Sequence, residues 1–544
     1  MRNAVPFRLA GRVRRNVGAA SAAISRALPR AQRLLQSLFI AGALTACATN
    51  PEPLPEDTAR ERLADLEALF NEQEPIESPL TLADAMARAI KYNVDARVEL
   101  MSKALAQRDL DLSKVDLLPA LTVSAGYRDR SNVNAFSSES IITGQQSLEP
   151  STSEEQERTE ADATLVWNAL DFGVSYVSAQ QRSDTVLIAE ERRRKAIQNI
   201  IQDVNFAYWQ ALAAQTLGPE LEILLLDMQK QLEDTEAAQQ SGALDPRRGA
   251  RDRDTLLTAL RELTRLRNEL ALARRELARL MNVKPGTDFT LEPMDEEMLI
   301  PVVEPSPSEV EQTALTHRPE LREEDYRKRI DVRDVRKAIL RMLPGLEIEL
   351  GAAYDSNDFL VNNDWTFAGV RIVWNLFNVL SGPRAKAAAE ARVGRDDLRR
   401  MALSMAVLAQ LHVAYERLRT ARAEYDITSR LASVNERIVD QQRARRNAAA
   451  ADAMTETRAR ARAFIAALQK EQAFAELQNA AGRIQNSIGL DPMPKAVESH
   501  DVEALAGAIA RHQKALDMYL ASPASACRDG DSCPEAGADN LALF

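Results

Sequence analysis

Leucines recur at heptad spacing along one stretch of the first half of the chain, at positions 256, 260, 263, 270 and 277. Apolar residues repeating every seven positions are typical of helices that pack in a supercoiled seam. Upstream, residues 178–240 are rich in Ala, Leu, Gln, Glu and Arg, all strong helix formers. At 1.5 Å per residue this first arm would be roughly 95 Å long. The pattern predicts a long α-helical hairpin with arms at residues 178–240 and 247–281.

The turn between the two arms is marked by residues 241–246, Ser-Gly-Ala-Leu-Asp-Pro. Small residues favour the end of one helix, Asp245 is suited to cap the next helix, and Pro246 fits the first helical position. The chain therefore predicts a hairpin tip at these residues.

The chain is internally duplicated. Landmarks that recur 207 positions later are Trp167-Asn168 with Trp374-Asn375, Ala207-Tyr208 with Ala414-Tyr415, Asp245 with Asp452, and Pro285 with Pro492. Landmarks that recur 225 positions later are Leu118-Pro119 with Leu343-Pro344, Leu121 with Leu346, and Gly126 with Gly351. A constant offset across several landmarks indicates a repeated unit. The difference between the offsets places an insertion of 18 residues in the first copy, between Tyr127 and Trp167.

Each copy also contains two segments that alternate apolar and polar residues. They lie at residues 121–127, 162–170, 346–354 and 366–377, separated by polar loops at 128–160 and 355–364. Alternation of this kind predicts β-strands with one apolar and one polar face, and hence two β-hairpins in each chain.

The length of these strands fits two different environments. The segments have 7 to 12 residues, close to the roughly 9–11 that a tilted transmembrane strand requires, and Trp167, Trp374 and Phe377 suit a membrane interface. Strands of this length also occur in soluble sandwiches. Four strands cannot close a barrel, and an open sheet edge cannot face lipid. Either the strands belong to a soluble domain, or several chains contribute their strands to one closed barrel.

Shorter helices are predicted around these elements. They lie at residues 59–70 within a Pro- and Glu-rich linker, at 82–113 with Thr81 as the cap, at 308–342 in the second copy, and at 501–520. The tail beyond residue 520 is small and polar, and we predict it to be disordered.

The N-terminus has the features of an export signal. Residues 1–33 contain eight Arg and no acid, and an apolar segment at 34–44 leads into Leu44-Thr45-Ala46-Cys47. This segment resembles the bacterial lipobox, which implies cleavage before Cys47 and acylation of its thiol and new amino group. The alternative is an ordinary signal peptide that happens to meet a cysteine. Ala48 replaces the Asp that, by analogy with enteric bacteria, would favour retention at the inner membrane.

Composition excludes several classes of function. Aromatic content of 5% and a mean hydropathy of −0.31 argue against a polytopic α-helical membrane protein, and a net charge of −11 gives no support to nucleic-acid binding. Three Cys and four scattered His form neither a disulfide scaffold nor a metal-ligand pattern. We find no phosphate loop or nucleophile elbow, so neither an enzyme nor a cofactor or metal site is predicted. Cys527 and Cys533 are predicted to pair in an oxidising periplasm.

A helix ending in Leu-Pro, a strand-loop-strand unit and a long helical hairpin, all duplicated, together resemble the TolC-type outer-membrane efflux protein family. The motif ending in Cys47 points to its lipoprotein branch, and the resemblance covers residues 78–495. It implies a fold that is mainly α with a small β part. It also implies a homotrimer in which four strands from each chain close a 12-stranded transmembrane β-barrel and the helices form an α-barrel tunnel across the periplasm.

In this family the hairpin tips point toward the inner membrane, where a periplasmic adaptor docks and the tunnel narrows. The matching positions are Gly242, Ala243 and Leu244 at the first tip, and Asn447 and Ala450 at the second tip, where alanines replace the expected Gly. Asp245 and Asp452 are interpreted as helix caps, or alternatively as carboxylates that also form an acidic ring at the aperture.

Arginines cluster beside both tips, at positions 247, 248, 251 and 253 and at positions 443, 445 and 446. The plain interpretation is solvated surface charge. The alternatives are a contact with the adaptor, or salt bridges that close the tip against a neighbouring helix.

These observations predict six segments. They are a lipoprotein signal peptide at residues 1–46, a linker at 47–77, the first repeat at 78–295, a Pro-rich connector at 296–307, the second repeat at 308–495, and a C-terminal helix and tail at 496–544.

The predicted function is a passive outer-membrane exit duct of a tripartite efflux or type I secretion system. Its partners would be a periplasmic adaptor, an inner-membrane pump and outer-membrane lipid. The alternative is a soluble periplasmic coiled-coil scaffold or adaptor, against which the duplication and the four strands argue. The sequence leaves the transported substrate open.

Overall fold

The computed structural model describes residues 54–55, 57–71, 73–293, 300–448, 453–494, 497, 499 and 501–521. The residues singled out above that lie outside these ranges are residues 44–48 with Cys47, and Ala450, Asp452, Cys527 and Cys533. The chain divides into two compact units, residues 1–72 and residues 73–544. The described part of the first unit contains one helix, α1 (Asp57–Asn71), whose Leu63 and Leu66 are exposed.

The second unit contains the two repeats and the C-terminal helix. The first repeat consists of α2 (Leu82–Tyr92), α3 (Val94–Val115), β1 (Ala120–Asp129), β2 (Ala135–Phe136), β3 (Ser151–Thr152), β4 (Glu157–Asn168), α4 (Ala169–Gln240) and α5 (Pro246–Leu280). The second repeat consists of α6 (Pro307–His317), α7 (Pro319–Leu340), β5 (Gly345–Asp355), β6 (Asp364–Val373), α8 (Leu376–Asn447) and α9 (Ala453–Ile488). The last helix, α10, spans Val502–Ala521.

The bounds of the helices confirm the internal duplication. Helices α4 and α8 each have 72 residues, and both their first and their last residues lie 207 positions apart. The pairs α2 with α6 and α3 with α7 begin and end 225 positions apart. The two offsets read from the sequence are therefore the spacing of the two folded repeats.

The first helix of each repeat is broken, so the single helices predicted at residues 82–113 and 308–342 are wrong. Asn93 has an extended backbone between α2 and α3, and its Oδ1 accepts the backbone N–H of Asp95 at 2.9 Å. Its counterpart Arg318 precedes Pro319, and the residue before a proline is disfavoured in the helical conformation. Capping chemistry in one repeat and proline sterics in the other thus produce the same break.

The long helices begin earlier than predicted, because the Trp-Asn landmark is the joint between strand and helix. The Asn168 Oδ1 accepts the backbone N–H groups of Leu170 and Asp171, at 2.9 and 3.2 Å. Asn375 accepts the N–H of Phe377 in the same way at 3.1 Å. These caps end the strands, so the predicted extension of the fourth strand to residue 377 is wrong.

Pro219 lies within α4, whereas the sequence pattern predicted a first arm without interruption. Proline removes one helical N–H donor and crowds the preceding turn, yet the helix continues through it to Gln240. Packing of the flanking turns therefore outweighs the local cost.

The heptad leucines of α5 form the predicted seam. Leu256, Leu263, Leu270 and Leu277 are all buried, the first three with residues of α4 and α9 in one cluster. A second cluster includes residues of α2, α4, α5, α9 and α10, and in it the Trp209 and Phe474 rings pack nearly perpendicular with centroids 4.9 Å apart. Among the described helices, none carries an apolar stretch long enough to cross a lipid bilayer.

Ion pairs join α4 of the first repeat to α7 of the second repeat. Asp184 of α4 is buried and accepts Arg329 and Arg333 of α7. Further along the same two helices, Glu191 lies 2.8 Å from Arg322 and Lys195 lies 2.8 Å from Glu320. The contact between α4 and α7 thus contains several charged pairs.

Removal of the Glu191 carboxylate from water raises its pKa, although Arg194 and Arg322 beside it oppose the rise. Burial of a charged group in this way is tolerated only where partners of opposite charge are held in place. The ion pairs therefore tie α4 to α7 in one specific register.

The duplicated tyrosines provide a test of this packing. The buried Tyr208 hydroxyl is 3.1 Å from the carbonyl oxygen of Leu80 and 3.2 Å from that of Glu292, whereas the buried hydroxyl of its counterpart Tyr415 has no hydrogen-bond partner among the described residues. We expect Tyr208→Phe to cost about 1–2 kcal/mol and to lower the midpoint of thermal unfolding. Tyr415→Phe is the matched control and should leave the midpoint unchanged or raise it. Equal losses in both variants would contradict the assigned hydrogen bond.

Candidate functional site

The first hairpin tip is a tight turn between α4 and α5. Gly242 has a φ of +74°, a left-handed conformation that favours glycine, and the backbone N–H of Leu244 donates to the carbonyl oxygen of Ala238 at 3.1 Å. Gly242 and Ala243 are exposed, and Leu244 is half-buried. The three residues predicted to contact an adaptor therefore lie together at the end of the hairpin, two of them facing solvent.

Asp245 caps α5 as the sequence predicts. Its Oδ1 accepts the backbone N–H groups of Arg247 and Arg248, both at 3.0 Å, and Pro246 occupies the first turn. The residue is exposed, so its second carboxylate oxygen remains available to solvent or to a cation. The capping role and the aperture role are thus compatible in one side chain.

The second tip joins α8 to α9. Helix α8 ends at Asn447, which is exposed, and the backbone N–H of Ala448 donates to the carbonyl oxygen of Ala444 at 3.1 Å. Helix α9 begins at Ala453.

Several of the tip arginines form ion pairs across their own hairpins. Arg446 lies 2.8 Å from Glu456 of α9, a carboxylate that is buried, and Arg443 lies 3.9 Å from it. At the first tip, Arg253 of α5 lies 3.9 Å from Glu236 of α4. Their positions fit the salt-bridge interpretation, although Arg443 and Arg446 are exposed, as are the arginines at positions 247, 251 and 445.

Two further ion pairs join the first hairpin to the second near the tips. Arg458 of α9 lies 2.7 Å from Asp252 of α5, and Arg460 of α9 lies 2.6 Å from Asp227 of α4. These residues could not be predicted from the sequence, because no local pattern marks them. Only the packing of α9 against the first hairpin brings the partners together. The two tips are thus held to each other by charges on three helices.

At the other end of the long helices, the four main strands form one antiparallel sheet in the order β1-β4-β5-β6. The two predicted β-hairpins are present, and β4 pairs with β5 to join them. Strands β1 and β6 are the two edges. The register therefore assigns every side chain of the four strands to one of two faces.

One face is apolar across all four strands. Residues in mutual register on it include Leu121, Val123, Ala163, Leu165, Ile348, Leu350, Val370 and Ile372. The opposite face is mainly polar, with Ser124, Arg128, Asp162, Glu160, Glu349 and Arg371 among its residues, and β6 also places Trp365 and Phe367 on it. Val123, Val370 and Ile372 are more than 70% exposed. A sheet of this kind is suited to separate an apolar phase from water.

The 18-residue insertion extends the β1–β4 hairpin. Strands β2 and β3 pair within it, and Ile141 and Ile142 at its tip are almost fully exposed. The buried Asn357 of the β5–β6 loop holds its base, since its Nδ2 donates to the Ser153 carbonyl oxygen at 3.0 Å. The sequence predicted only a solvated loop here, because the side chain that orders the loop comes from the other repeat.

The link between Asp252 and Arg458 generates a prediction about the tips. Asp252→Asn removes the charge that holds α9 against α5, so we expect faster amide hydrogen exchange at residues 241–253, measured by mass spectrometry. Glu262→Gln is the matched control, because the Glu262 pair with Arg265 stays within one exposed face of α5. Exchange that is unchanged in Asp252→Asn, or equally faster in both variants, would show that the link does not hold the tips.

The chain shares its fold with solved channel structures. It is similar to the open state of the MtrE outer membrane channel of Neisseria gonorrhoeae, with a TM-score of 0.59 and 15% identity over 75% of this chain and 88% of that chain. The CmeC outer membrane channel of Campylobacter jejuni gives a TM-score of 0.58 and 15% identity over 85% and 97%. The outer-membrane channel OprN gives 0.56 and 18% over 75% and 89%. No protein-family model and no curated protein matches the chain.

Proposed function

We propose that this chain, which has the fold of outer-membrane channel proteins, is the outer-membrane exit duct of a tripartite efflux or type I secretion system. It conducts substrates passively from a periplasmic adaptor and an inner-membrane pump to the exterior. The duct carries no catalytic centre, and the pump supplies the energy.

The two-faced sheet carries this proposal. Its apolar face suits the lipid of the outer membrane and its polar face suits a water-filled pore, but its two edge strands cannot remain unpaired in lipid. Copies of the chain that pair β6 of one with β1 of the next satisfy both edges. Three copies give a closed barrel of twelve strands and a homotrimer.

The helical hairpins supply the periplasmic part of the duct. At 1.5 Å per residue, a helix of 72 residues is about 110 Å long, which is far more than a globular domain requires. Packed side by side from three copies, α4, α5, α8 and α9 form an α-barrel tunnel whose far end carries the tips. The adaptor contacts Gly242, Ala243, Leu244, Asn447 and Ala450 there.

The tips also form the gate. Asp245 and Asp452 are each repeated three times around the axis and make the aperture selective for cations over anions. The ion pairs of Asp252 with Arg458 and of Asp227 with Arg460 hold the two hairpins of each chain together in the closed arrangement.

The N-terminus anchors the duct. Residues 1–46 act as a lipoprotein signal peptide, and Cys47 carries the acyl chains that attach the mature protein to the outer membrane.

Membrane fractionation tests this function. We expect wild-type protein in the outer membrane, with light scattering of the detergent extract giving a trimer of about 55 kDa chains, from roughly 500 residues each. Cys47→Ser should lose acylation, measured by mass spectrometry, while Cys527→Ser, the matched cysteine control, should keep it. A water-soluble monomer would overturn the duct and favour the alternative, a soluble periplasmic coiled-coil scaffold or adaptor.

Currents across a planar bilayer test the aperture. Asp245→Asn keeps a good helix cap, because Asn caps as well as Asp, but removes the charge. We therefore expect weaker block by multivalent cations with an unchanged trimer yield. Asp254→Asn removes an equally exposed charge from the same helix and should leave the block unaltered. Wild-type block in Asp245→Asn would exclude this carboxylate from the aperture.

A further inference from the structure

Two aspartates meet in the contact between α7 and α8 of the second repeat. Asp396 of α8 is 2% exposed, and the side chain of Asp331 of α7 is 17% exposed. The carboxyl groups of the two residues lie within hydrogen-bonding distance of each other. Two carboxylates held this close repel each other, and removal from water strengthens the repulsion. The pair therefore requires compensation from its surroundings.

One arginine supplies part of that compensation. The Arg395 Nη2 atom lies 2.7 Å from Oδ1 of Asp396 and 3.3 Å from Oδ2 of Asp331, so one guanidinium group serves both carboxyl groups. The Arg395 side chain is 64% exposed, so water screens its charge. The buried Oδ2 of Asp396 has no hydrogen-bond partner among the described residues. Asp396 therefore lacks one donor.

The neighbouring charges do not supply this donor. Glu324 of α7 adds a third buried carboxylate, with one oxygen 3.3 Å from Arg399 and the other without a partner among the described residues. Arg392 of α8 lies 3.0 Å from Asp334. Other charged side chains around this contact form their own pairs, namely Lys328 with Asp397, Arg400 with Asp397 and Asp325, Arg327 with Glu323 and, on the side of α7 that faces α4, Asp184 with Arg329 and Arg333.

The duplication shows that this contact does not require acidic residues. The positions equivalent to Asp331 and Asp396 are Ala106 of α3 and Ala189 of α4, and both alanines are buried. Two small apolar side chains thus occupy the same place between the equivalent helices of the first repeat. The second repeat carries two carboxyl groups there instead, although buried charges without a full set of partners destabilise a fold.

We propose that Asp331 and Asp396 form a proton-binding site that tightens the contact between α7 and α8 when the surroundings become acidic. One proton bound between the two carboxyl groups removes their repulsion and supplies the donor that Asp396 lacks. The contact is weakened when both groups are charged and strengthened when they share a proton. This inference goes beyond the proposed duct and does not depend on it.

Electrostatics set the pH range of this switch. Burial and the neighbouring Asp396 raise the pKa of Asp331 from its ordinary value of 3.8 to about 6. The folded chain then binds the proton more tightly than the unfolded chain does. The free energy of unfolding therefore increases as the pH falls through about 6, and this gain levels off below the unfolded value of 3.8.

Asp397, the next residue of α8, acts in the opposite direction. Its hydrogen bond with Lys328 lowers its pKa, so its contribution to stability is present at neutral pH and is lost in acid. The two adjacent aspartates thus allow a matched comparison.

An amide substitution tests the site. Asp331→Asn removes one charge and can donate from its amide nitrogen to Asp396, so it imitates the protonated pair at every pH. We expect a higher midpoint of thermal unfolding than in the wild type at a pH of about 7.5, measured on the full-length protein in detergent. The difference should disappear at a pH of about 5, where the wild type has bound its own proton.

Asp397→Asn is the matched control, because it makes the same chemical change at the adjacent position of α8. It removes the ion pair with Lys328, 2.6 Å away, and should lower the midpoint at neutral pH. The proposal is overturned if Asp331→Asn unfolds at or below the wild-type midpoint at neutral pH. It is also overturned if both variants gain equally, or if the gain of Asp331→Asn does not change with pH.

Infrared spectroscopy detects the bound proton directly. A protonated carboxyl group has a C=O stretching band that a carboxylate lacks. At a pH of about 5.5, above the ordinary pKa of carboxyl groups, the wild type should show this band and Asp331→Asn should lack the part due to the shared proton. The double variant Asp331→Ala with Asp396→Ala restores the residues of the first repeat and should lack the same part of the band. Identical spectra for the wild type and both variants would exclude the proton-binding site.

Discussion

Every backbone amide and carbonyl group of a β-sheet requires a hydrogen-bond partner, and lipid offers none. The four-stranded sheet of this chain satisfies its inner strands by pairing β4 with β5 but leaves β1 and β6 as edges. Its apolar face would favour a membrane, yet the open edges forbid one chain from entering it alone. In the proposed duct, association with further copies is therefore a condition of function, and the duplicated helices have to accommodate the same association.

Equivalent helix faces of the two repeats differ in their chemistry. Within the chain, Asp184, Glu191 and Lys195 tie the first repeat to α7 through ion pairs whose geometry fixes the register. The equivalent positions are Ala391, Leu398 and Ala402 on α8 and Ala104, Arg97 and Asp95 on α3, so each equivalent pair lacks at least one of the two charges. Divergence between the copies thus confines these ion pairs to the contact within the chain.

At the tips, each turn is fixed by local hydrogen bonds, whereas the two hairpins are joined by weaker contacts. Capping by Asp245 and the turn at Gly242 fix the end of the first hairpin through local backbone chemistry. The position of one hairpin relative to the other depends instead on the Asp252–Arg458 and Asp227–Arg460 pairs, which are partly exposed and therefore individually weak. A structure with strongly fixed hairpins and weakly fixed relations between them is suited to opening at the tips.

The sequence by itself determined the elements whose causes are local or periodic. The leucine heptad of α5, the cap at Asp245, the alternation of the strands and the offsets of 207 and 225 all predicted features of the fold, because each depends on residues close in sequence or on repetition. Tertiary structure decided the rest. The end of the fourth strand before Asn375, the passage of α4 through Pro219, the ordering of the insertion by Asn357 and the links from α9 to the first hairpin depend on side chains that are distant along the chain. Their partners become visible only once packing brings them together.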